Sequence, residues 1–397
     1  MSPPRAVRCG STEPVRRVKT PVCDLLGIDL PIFAFSHCRD VVIEVSKAGG
    51  FGVLGATAYT PAQLDVELSL IEDALAGRPY GVDVLLPVRF VGRDEGGLTR
   101  DRLRERIPDE HRRFVDELLD RYEVPPLPQE QADERRRPDL APGADEAEGQ
   151  ASLADVSFGH RISLFASALG PPPPDIVERS HAQGVAVVAL AGTTVHAERH
   201  QAAGVDVIVA QGYEAGGHTG EIGTMVLVPD VVDVVAPTPV LAAGGIADGR
   251  QMAAALALGA QGVWTGSVWL TTEEAETHPT VKQKFLAAGA SDTVRSRSLT
   301  GKPARQLRSD WTDAWDAEGA PATLPMPLQS LLIADAQHRI GRAARDPDSG
   351  AARLVNYFVG QVVGRTNEEK PARQVVFDMV SEFIDAVESL EQQLDTD

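Results

Sequence analysis

The chain has 397 residues, of which 43% are hydrophobic, and it carries a formal net charge of −19 at pH 7. This length suffices for one barrel-sized domain with additions, or for two ordinary domains. The negative charge disfavours nucleic acid and anionic membranes as partners, and no apolar run approaches the ~20 residues that span a bilayer. Cys9, Cys23 and Cys38 form neither a disulfide framework nor a spaced metal site. We therefore expect a cytoplasmic protein without a metal ion.

Short β-rich runs alternate with helical patterns along the chain, which is typical of βα units around a parallel sheet. The predicted strands are 31–35, 52–54, 81–86, 162–166, 186–190, 205–210, 240–242 and 262–264. The predicted helices between them are 41–48, 61–76, 175–183, 195–203, 229–235 and 251–258. Eight strands predict a closed (β/α)8 TIM barrel. The competing doubly wound sheet usually has an early glycine-rich turn, whereas the glycine runs here come late.

Composition divides the chain into three parts. Residues 1–20 are basic but lack the apolar core of a signal peptide, so we expect a flexible tail. Residues 21–300 would form the barrel, with an insertion at about 92–158 after the third strand. Residues 301–397 would be a C-terminal helical segment packing on the barrel, ending in an amphipathic helix at 375–394.

The insertion itself has two parts. Residues 99–122 form a charged helical stretch, and residues 124–151 are rich in Pro, Glu, Asp and Arg, which is typical of a loosely ordered loop. The insertion emerges on the same face as the glycine runs. The insertion is either a lid over the substrate, or else a solvent-exposed loop or a contact between subunits of an oligomer. The basic patch at 296–305 either closes over a phosphate or is a solvated connector.

One glycine run surrounds a histidine at a strand's end. Residues 211–220 read Gln-Gly-Tyr-Glu-Ala-Gly-Gly-His-Thr-Gly and follow the sixth predicted strand. Catalytic groups of α/β barrels sit at this end of the strands. A lone histidine is more often structural, but the flanking Gly216 and Gly217 make His218 a catalytic candidate. Glu214 either orients His218 or anchors the loop, and we favour the anchor.

Two further glycine turns follow the seventh and eighth strands. Gly244 and Gly245 end one, and Gly266 and Ser267 end the other. Glycine allows the main chain to approach a ligand closely, and converging backbone N–H groups suit a phosphate. Glycines of this kind can simply turn the chain, but two pairs in successive loops favour a phosphate site.

These motifs resemble the nitronate monooxygenase family, formerly the 2-nitropropane dioxygenases. The resemblance rests on runs 211–220, 243–250, 253–260 and 301–305, and it covers roughly 21–90 and 162–332. It implies an FMN-containing barrel that oxidises alkyl nitronates or nitroalkanes with dioxygen. Ser36, Asp83, Gln211, Gly216 and Gly217 would then contact the flavin, together with the phosphate turns. His218 would abstract the α-proton of a nitroalkane, since the unperturbed pKa of imidazole is about 6.5.

The chain departs from the family pattern in two places. The first strand ends in Ala34-Phe35-Ser36-His37-Cys38 where the family has a Gly-Met or Pro-Met pair, and His37 and Cys38 either replace those side chains or simply pack. The third strand has Gly81-Val82-Asp83 where the family has Asn, and an ionised aspartate cannot donate a hydrogen bond. These departures leave the reaction undecided. The alternative function is that of an NAD(P)H-dependent flavin reductase acting on a quinone or enoyl substrate. A non-catalytic barrel is a third alternative, and a homo-oligomer is compatible with all three.

Overall fold

A computed structural model of the protein describes residues 18–86, 100–127, 153–168 and 170–394. Eight parallel strands close into a barrel in the order β1-β2-β3-β4-β5-β6-β8-β9, so the predicted (β/α)8 fold is confirmed. These strands are β1 (Ile32–Ser36), β2 (Phe51–Gly55), β3 (Gly81–Leu85), β4 (Leu164–Ala168), β5 (Ala186–Ala191), β6 (Val207–Gln211), β8 (Val240–Ala243) and β9 (Gly262–Thr265). The short strands β7 (Gly217–His218), β10 (Thr293–Ser296) and β11 (Ala304–Leu307) form a separate antiparallel sheet.

Helices follow the strands and also form the C-terminal part. Before and within the insertion they are α1 (Pro21–Leu26), α2 (Arg39–Lys47), α3 (Pro61–Leu75), α4 (Arg100–Glu105), α5 (Asp109–Arg121) and α6 (153–158). Around the rest of the barrel they are α7 (Pro174–Ala182), α8 (Thr194–Ala202), α9 (Thr224–Val235) and α10 (Gly249–Ala257). Beyond the barrel they are α11 (Pro279–Ala287), α12 (Asp310–Asp316), α13 (Leu328–Ala343), α14 (Gly350–Leu354) and α15 (Ala372–Leu394). No helix of the described ranges combines the length and apolar character needed to cross a bilayer.

The barrel interior is filled by alternate residues of the strands. Side chains alternate across a strand, so every second residue of each strand points inward. Phe33, Phe51, Leu164 and Trp264 belong to one buried cluster, with the ring centroids of Phe33 and Phe51 5.3 Å apart. This apolar cluster fills the barrel interior below the carboxyl ends of the strands, where the predicted site residues lie.

Two predicted helices have different boundaries in the structure. The helix expected to begin at Pro229 begins at Thr224 instead, because the Glu214 carboxylate accepts a hydrogen bond from the Thr224 backbone N–H and so caps this end. Pro229 lies in the second turn. The single helix expected at 99–122 is two helices, α4 and α5. They are separated at Pro108, since proline disfavours a helical conformation in the residue before it.

The insertion helix α5 packs against the C-terminal part of the chain. Val115 and Leu118 are buried in one cluster with Trp311, Ile333 and Ile340. The Nε2 atom of His111, on the same helix, lies 2.8 Å from the carbonyl oxygen of Ala322. These contacts indicate that α5 is packed against the C-terminal part of the chain. They argue against the substrate lid that we considered. Residues 128–152, the proline-rich part, lie outside the described residues, as do residues 1–17 of the basic tail.

The C-terminal helix α15 packs closely on α10. A Cβ atom added at Gly249 would lie 2.2 Å from the Met379 carbonyl oxygen, so only glycine allows this approach. The Glu382 carboxylate accepts a hydrogen bond of 2.9 Å from the Gly249 N–H. The amino end of α10, directly behind the Gly244 turn, is therefore capped by protein. A ligand at this corner must use the amides of the turns instead.

Candidate active site

The two predicted phosphate turns lie side by side at the barrel mouth. Ala243 of β8 pairs in register with Trp264 of β9, so the turns that follow emerge at the same level. Gly244 and Gly245 have φ values of 97° and 69°, in the left-handed region that favours glycine. Within the described ranges, the backbone N–H groups of Gly244, Gly245, Gly266 and Ser267 donate to no acceptor. These four amides can therefore bind an anion.

The Ser267 hydroxyl has a partner that the sequence did not predict. Its Oγ accepts a hydrogen bond of 2.8 Å from the Gly360 N–H. Gly360 also lies against the loop after β6, because an added Cβ would be 2.7 Å from the Glu214 carbonyl oxygen. The ring of Phe358, in the same segment, is 6.2 Å from that of His218. Residues 356–361 therefore form one wall of the site, although no sequence motif in this stretch predicts that position.

Asp83 and Gln211 lie at the inner end of the mouth. Both are inward positions by the alternation of β3 and β6, and Asp83 pairs in register with Gly55 and Ala166. Asp83 is 6% exposed, and no described residue donates a hydrogen bond to its carboxyl group. Burial raises the pKa of Asp83 to about 7. Asp83 is therefore largely neutral below pH 7, and the protonated carboxyl can donate a hydrogen bond as the family asparagine would.

His218 lies on the small sheet above the mouth. It pairs with Ala304 of β11, and its Nε2 atom is 2.9 Å from the hydroxyl oxygen of Thr300. Burial, and then the charge of Lys302, lower the pKa of His218 to about 4. Our expectation of an imidazole that titrates near neutral pH is therefore wrong. The ring is unprotonated at pH 7, but it is a weaker base than free imidazole.

The loop that carries His218 is fastened at both ends. The Glu214 carboxylate accepts hydrogen bonds from the Thr224 N–H at 3.0 Å and from its hydroxyl at 2.7 Å, which confirms the loop anchor. The guanidinium of Arg305 donates to the Tyr213 carbonyl oxygen from Nε at 3.2 Å and from Nη2 at 3.0 Å. Arg305 is nearly fully buried and also lies 4.4 Å from the Tyr213 ring centre. The Glu214 carboxylate thus ties the start of the His218 loop to Thr224 at its end, and Arg305 holds the start.

The remaining predicted residues make local contacts. The Ser36 hydroxyl accepts a hydrogen bond of 3.1 Å from the Cys38 N–H, and Nδ1 of His37 is 3.0 Å from the Gly55 carbonyl oxygen. Burial lowers the pKa of His37, so this ring is neutral. An added Cβ at Gly216 would lie 2.8 Å from the Gly360 nitrogen, whereas one at Gly217 would meet open space.

No three histidine, cysteine or carboxylate side chains converge as a metal site in the part of the chain that the structure describes. The residues that the structure brings together at the mouth therefore supply amides, a buried carboxyl group and an imidazole. The chemistry open to such a set is anion binding, hydrogen bonding and proton transfer.

Comparison with known proteins gives a family for this arrangement. The family model described as nitronate monooxygenase matches residues 22–382. A protein of Mycobacterium tuberculosis named "Putative monooxygenase Rv1533" is 61% identical over 375 residues, covering 94% of this chain and 99% of that protein. A Staphylococcus haemolyticus protein named "Probable nitronate monooxygenase" is 30% identical, covering 77% of this chain and 83% of that protein.

A solved structure is similar over nearly the whole chain. The nitroalkane oxidase of Streptomyces ansochromogenes superimposes with a TM-score of 0.75 at 26% identity, covering 93% of this chain and 99% of that one. The fold, the family model and these relatives all indicate the same class of enzyme. The protein is an oxidoreductase of the nitronate monooxygenase type. The chain belongs to the nitronate monooxygenase family.

Proposed function

We propose that the protein oxidises alkyl nitronates with dioxygen, using FMN bound across the carboxyl end of the barrel. The observation that carries this proposal is the pair of adjacent glycine turns with four unpartnered amides, on the same face as His218. Members of this family are flavin-dependent in general. When bound, FMN would supply a two-electron acceptor whose electrons pass on to dioxygen.

The residues at the mouth fit such a cofactor. Gly244, Gly245, Gly266 and Ser267 would donate their N–H groups to the phosphate, and their glycine content leaves room for its approach. Asp83 and Gln211 would meet the polar edge of the ring system from inside the barrel. A carboxyl group with a pKa of about 7 can donate to a ring acceptor, which a permanently ionised aspartate cannot.

His218 would act on the substrate beside the cofactor. Its ring is unprotonated at neutral pH and is oriented by Thr300, so it can accept a proton. A base with a pKa of about 4 is a weak match for removing a proton from carbon, because the transfer is uphill. We therefore propose that nitronates are oxidised faster than neutral nitroalkanes, for which His218 would be the proton acceptor.

An anaerobic titration of the purified protein tests the proposal. Propyl-2-nitronate should bleach the flavin absorption without NADH or NADPH, and admission of air should restore it. Bleaching by NADH or NADPH, with no response to the nitronate, would instead support the flavin reductase. A colourless protein that takes up no added FMN would favour the non-catalytic barrel.

A further inference from the structure

Four basic side chains surround the His218 loop in this otherwise acidic protein. Three of them are arginines whose guanidinium groups are held by main-chain carbonyls. Arg295 donates to the Thr219 oxygen at 3.2 Å, Arg297 donates to the Gly301 oxygen at 3.2 Å, and Arg305 donates to the Tyr213 oxygen. The arginines therefore fasten the loop and the turn after β10. The fourth basic residue is Lys302.

Lys302 differs from the arginines in having no such acceptor. Among the described residues, no carboxylate and no carbonyl oxygen binds its ammonium group, which is half-buried. Burial lowers the pKa of Lys302, and no acidic group opposes that effect. Its charge is close enough to His218 to lower the pKa of that ring. Within the part of the chain that the structure describes, this half-buried cation beside the candidate catalytic residue therefore has no counter-ion.

The backbone that carries Lys302 is fixed. Gly301 has a φ of 79°, and a Cβ added there would lie 2.0 Å from the Leu324 carbonyl oxygen, so the turn admits only glycine. The Thr300 hydroxyl donates to the Lys302 carbonyl oxygen at 3.2 Å while it also bonds to His218. The Thr300 hydroxyl thus bonds both to the Lys302 backbone and to the imidazole of His218 on β7, so a fixed turn connects the two residues.

An uncompensated charge that has lost part of its hydration is unfavourable, and a bound anion would offset that penalty. We infer that Lys302 is the substrate's anion-binding residue, whose ammonium group holds the negatively charged oxygens of a nitronate next to His218. This inference rests on the proposed function and extends it. The lysine would select the anionic nitronate over the neutral nitroalkane, since only the former carries a full charge for it to bind.

Substitution of Lys302 tests this assignment. Lys302→Met removes the charge and keeps an apolar stem, and Lys302→Arg keeps the charge. Hydrogen bonds to charged groups are worth about 1.5 to 3 kcal/mol, so we expect KM for propyl-2-nitronate to rise about tenfold to a hundredfold in Lys302→Met, with kcat changed less than threefold. Lys302→Arg should restore most of the affinity. The matched control is Lys47→Met at the carboxyl end of α2, which makes the same charge change at the opposite end of the barrel.

A second measurement does not depend on turnover. Nitrate is an inert planar anion, and its binding to the purified holoenzyme can be followed by calorimetry at constant ionic strength. Nitrate should bind the wild type and Lys47→Met alike and bind Lys302→Met at least tenfold more weakly. If the wild type fails to oxidise nitronates yet binds nitrate through Lys302, the proposed function fails and the anion site stands.

Two results would overturn the inference. The first is an unchanged KM and unchanged nitrate affinity in a folded Lys302→Met protein. The second is a Lys302→Met protein that loses FMN on dialysis but binds nitrate as tightly as the wild type does. That result would show that the ammonium group binds the cofactor phosphate instead of the substrate. If Lys302→Met does not fold, Lys302→Gln is measured against the same two outcomes.

Discussion

Replacing Asp83 with asparagine should stabilise the protein above pH 7. Asp83 lies inside the barrel with no donor among the described residues, and burial raises its pKa from 3.8 to about 7. A raised carboxyl pKa means that the folded state retains a proton that the unfolded chain has lost. The contribution of Asp83 to stability is therefore complete below pH 3.8, decreases as the pH rises, and is lost above pH 7.

The magnitude follows from the two pKa values. Stability decreases by about 1.4 kcal/mol for each pH unit between them, which amounts to an upper bound of about 4 kcal/mol above pH 7. The asparagine is neutral at every pH and escapes this penalty. The free energy of unfolding of Asp83→Asn, relative to wild type, should therefore rise by about 3 kcal/mol between pH 5 and pH 8.

Urea unfolding followed by circular dichroism at pH 5 to 9 measures this difference, with the flavin content of the proteins matched. Other titrating groups cancel because both proteins share them. Asp73→Asn, on the exposed surface of α3, makes the same chemical change where water reaches the side chain. A difference between Asp83→Asn and wild type that stays constant from pH 5 to 9 would refute the burial argument.

Three further predictions concern the mouth. His218→Asn should abolish turnover of neutral nitroalkanes while reducing nitronate turnover much less, and steady-state assays showing equal losses would rule out the proton-acceptor role. Gly266→Ala should weaken FMN binding at least tenfold, because the new methyl group would obstruct the approach of the phosphate. The urea midpoint should not change, because in the protein this methyl group meets only a Phe35 carbon at 3.9 Å. Gly341→Ala, whose methyl group meets open space, is the control. Arg305→Met should lower kcat and the thermal midpoint together, since it releases the Tyr213 carbonyl and so removes one tether of the loop after β6. An unchanged kcat would show that this tether is dispensable.

The barrel could be predicted from the sequence because its signals are local. Each predicted strand lies within two residues of the observed one, as for residues 31–35 and β1 (Ile32–Ser36), since apolar runs between turn residues mark them. The glycine turns were recognised for the same reason, and their adjacency followed from the barrel order.

The properties that escaped prediction depend on contacts between distant parts of the chain. Residues 356–361 contact Ser267 and the loop after β6 through main-chain groups, which leave no side-chain pattern to read. The pKa values of His218 and Asp83 depend on what buries them, and the sequence does not carry that information. The sequence identified these side chains but not their protonation states.

A comparison of FMN with riboflavin tests the central claim most directly, because the two ligands differ only in the phosphate. Flavin-free protein is titrated with each, and binding is followed by quenching of flavin fluorescence. If the four main-chain amides donate to one phosphate as proposed, FMN should bind at least a hundredfold more tightly than riboflavin. Equal affinities would show that the turns after β8 and β9 hold no phosphate, and would contradict the proposed site.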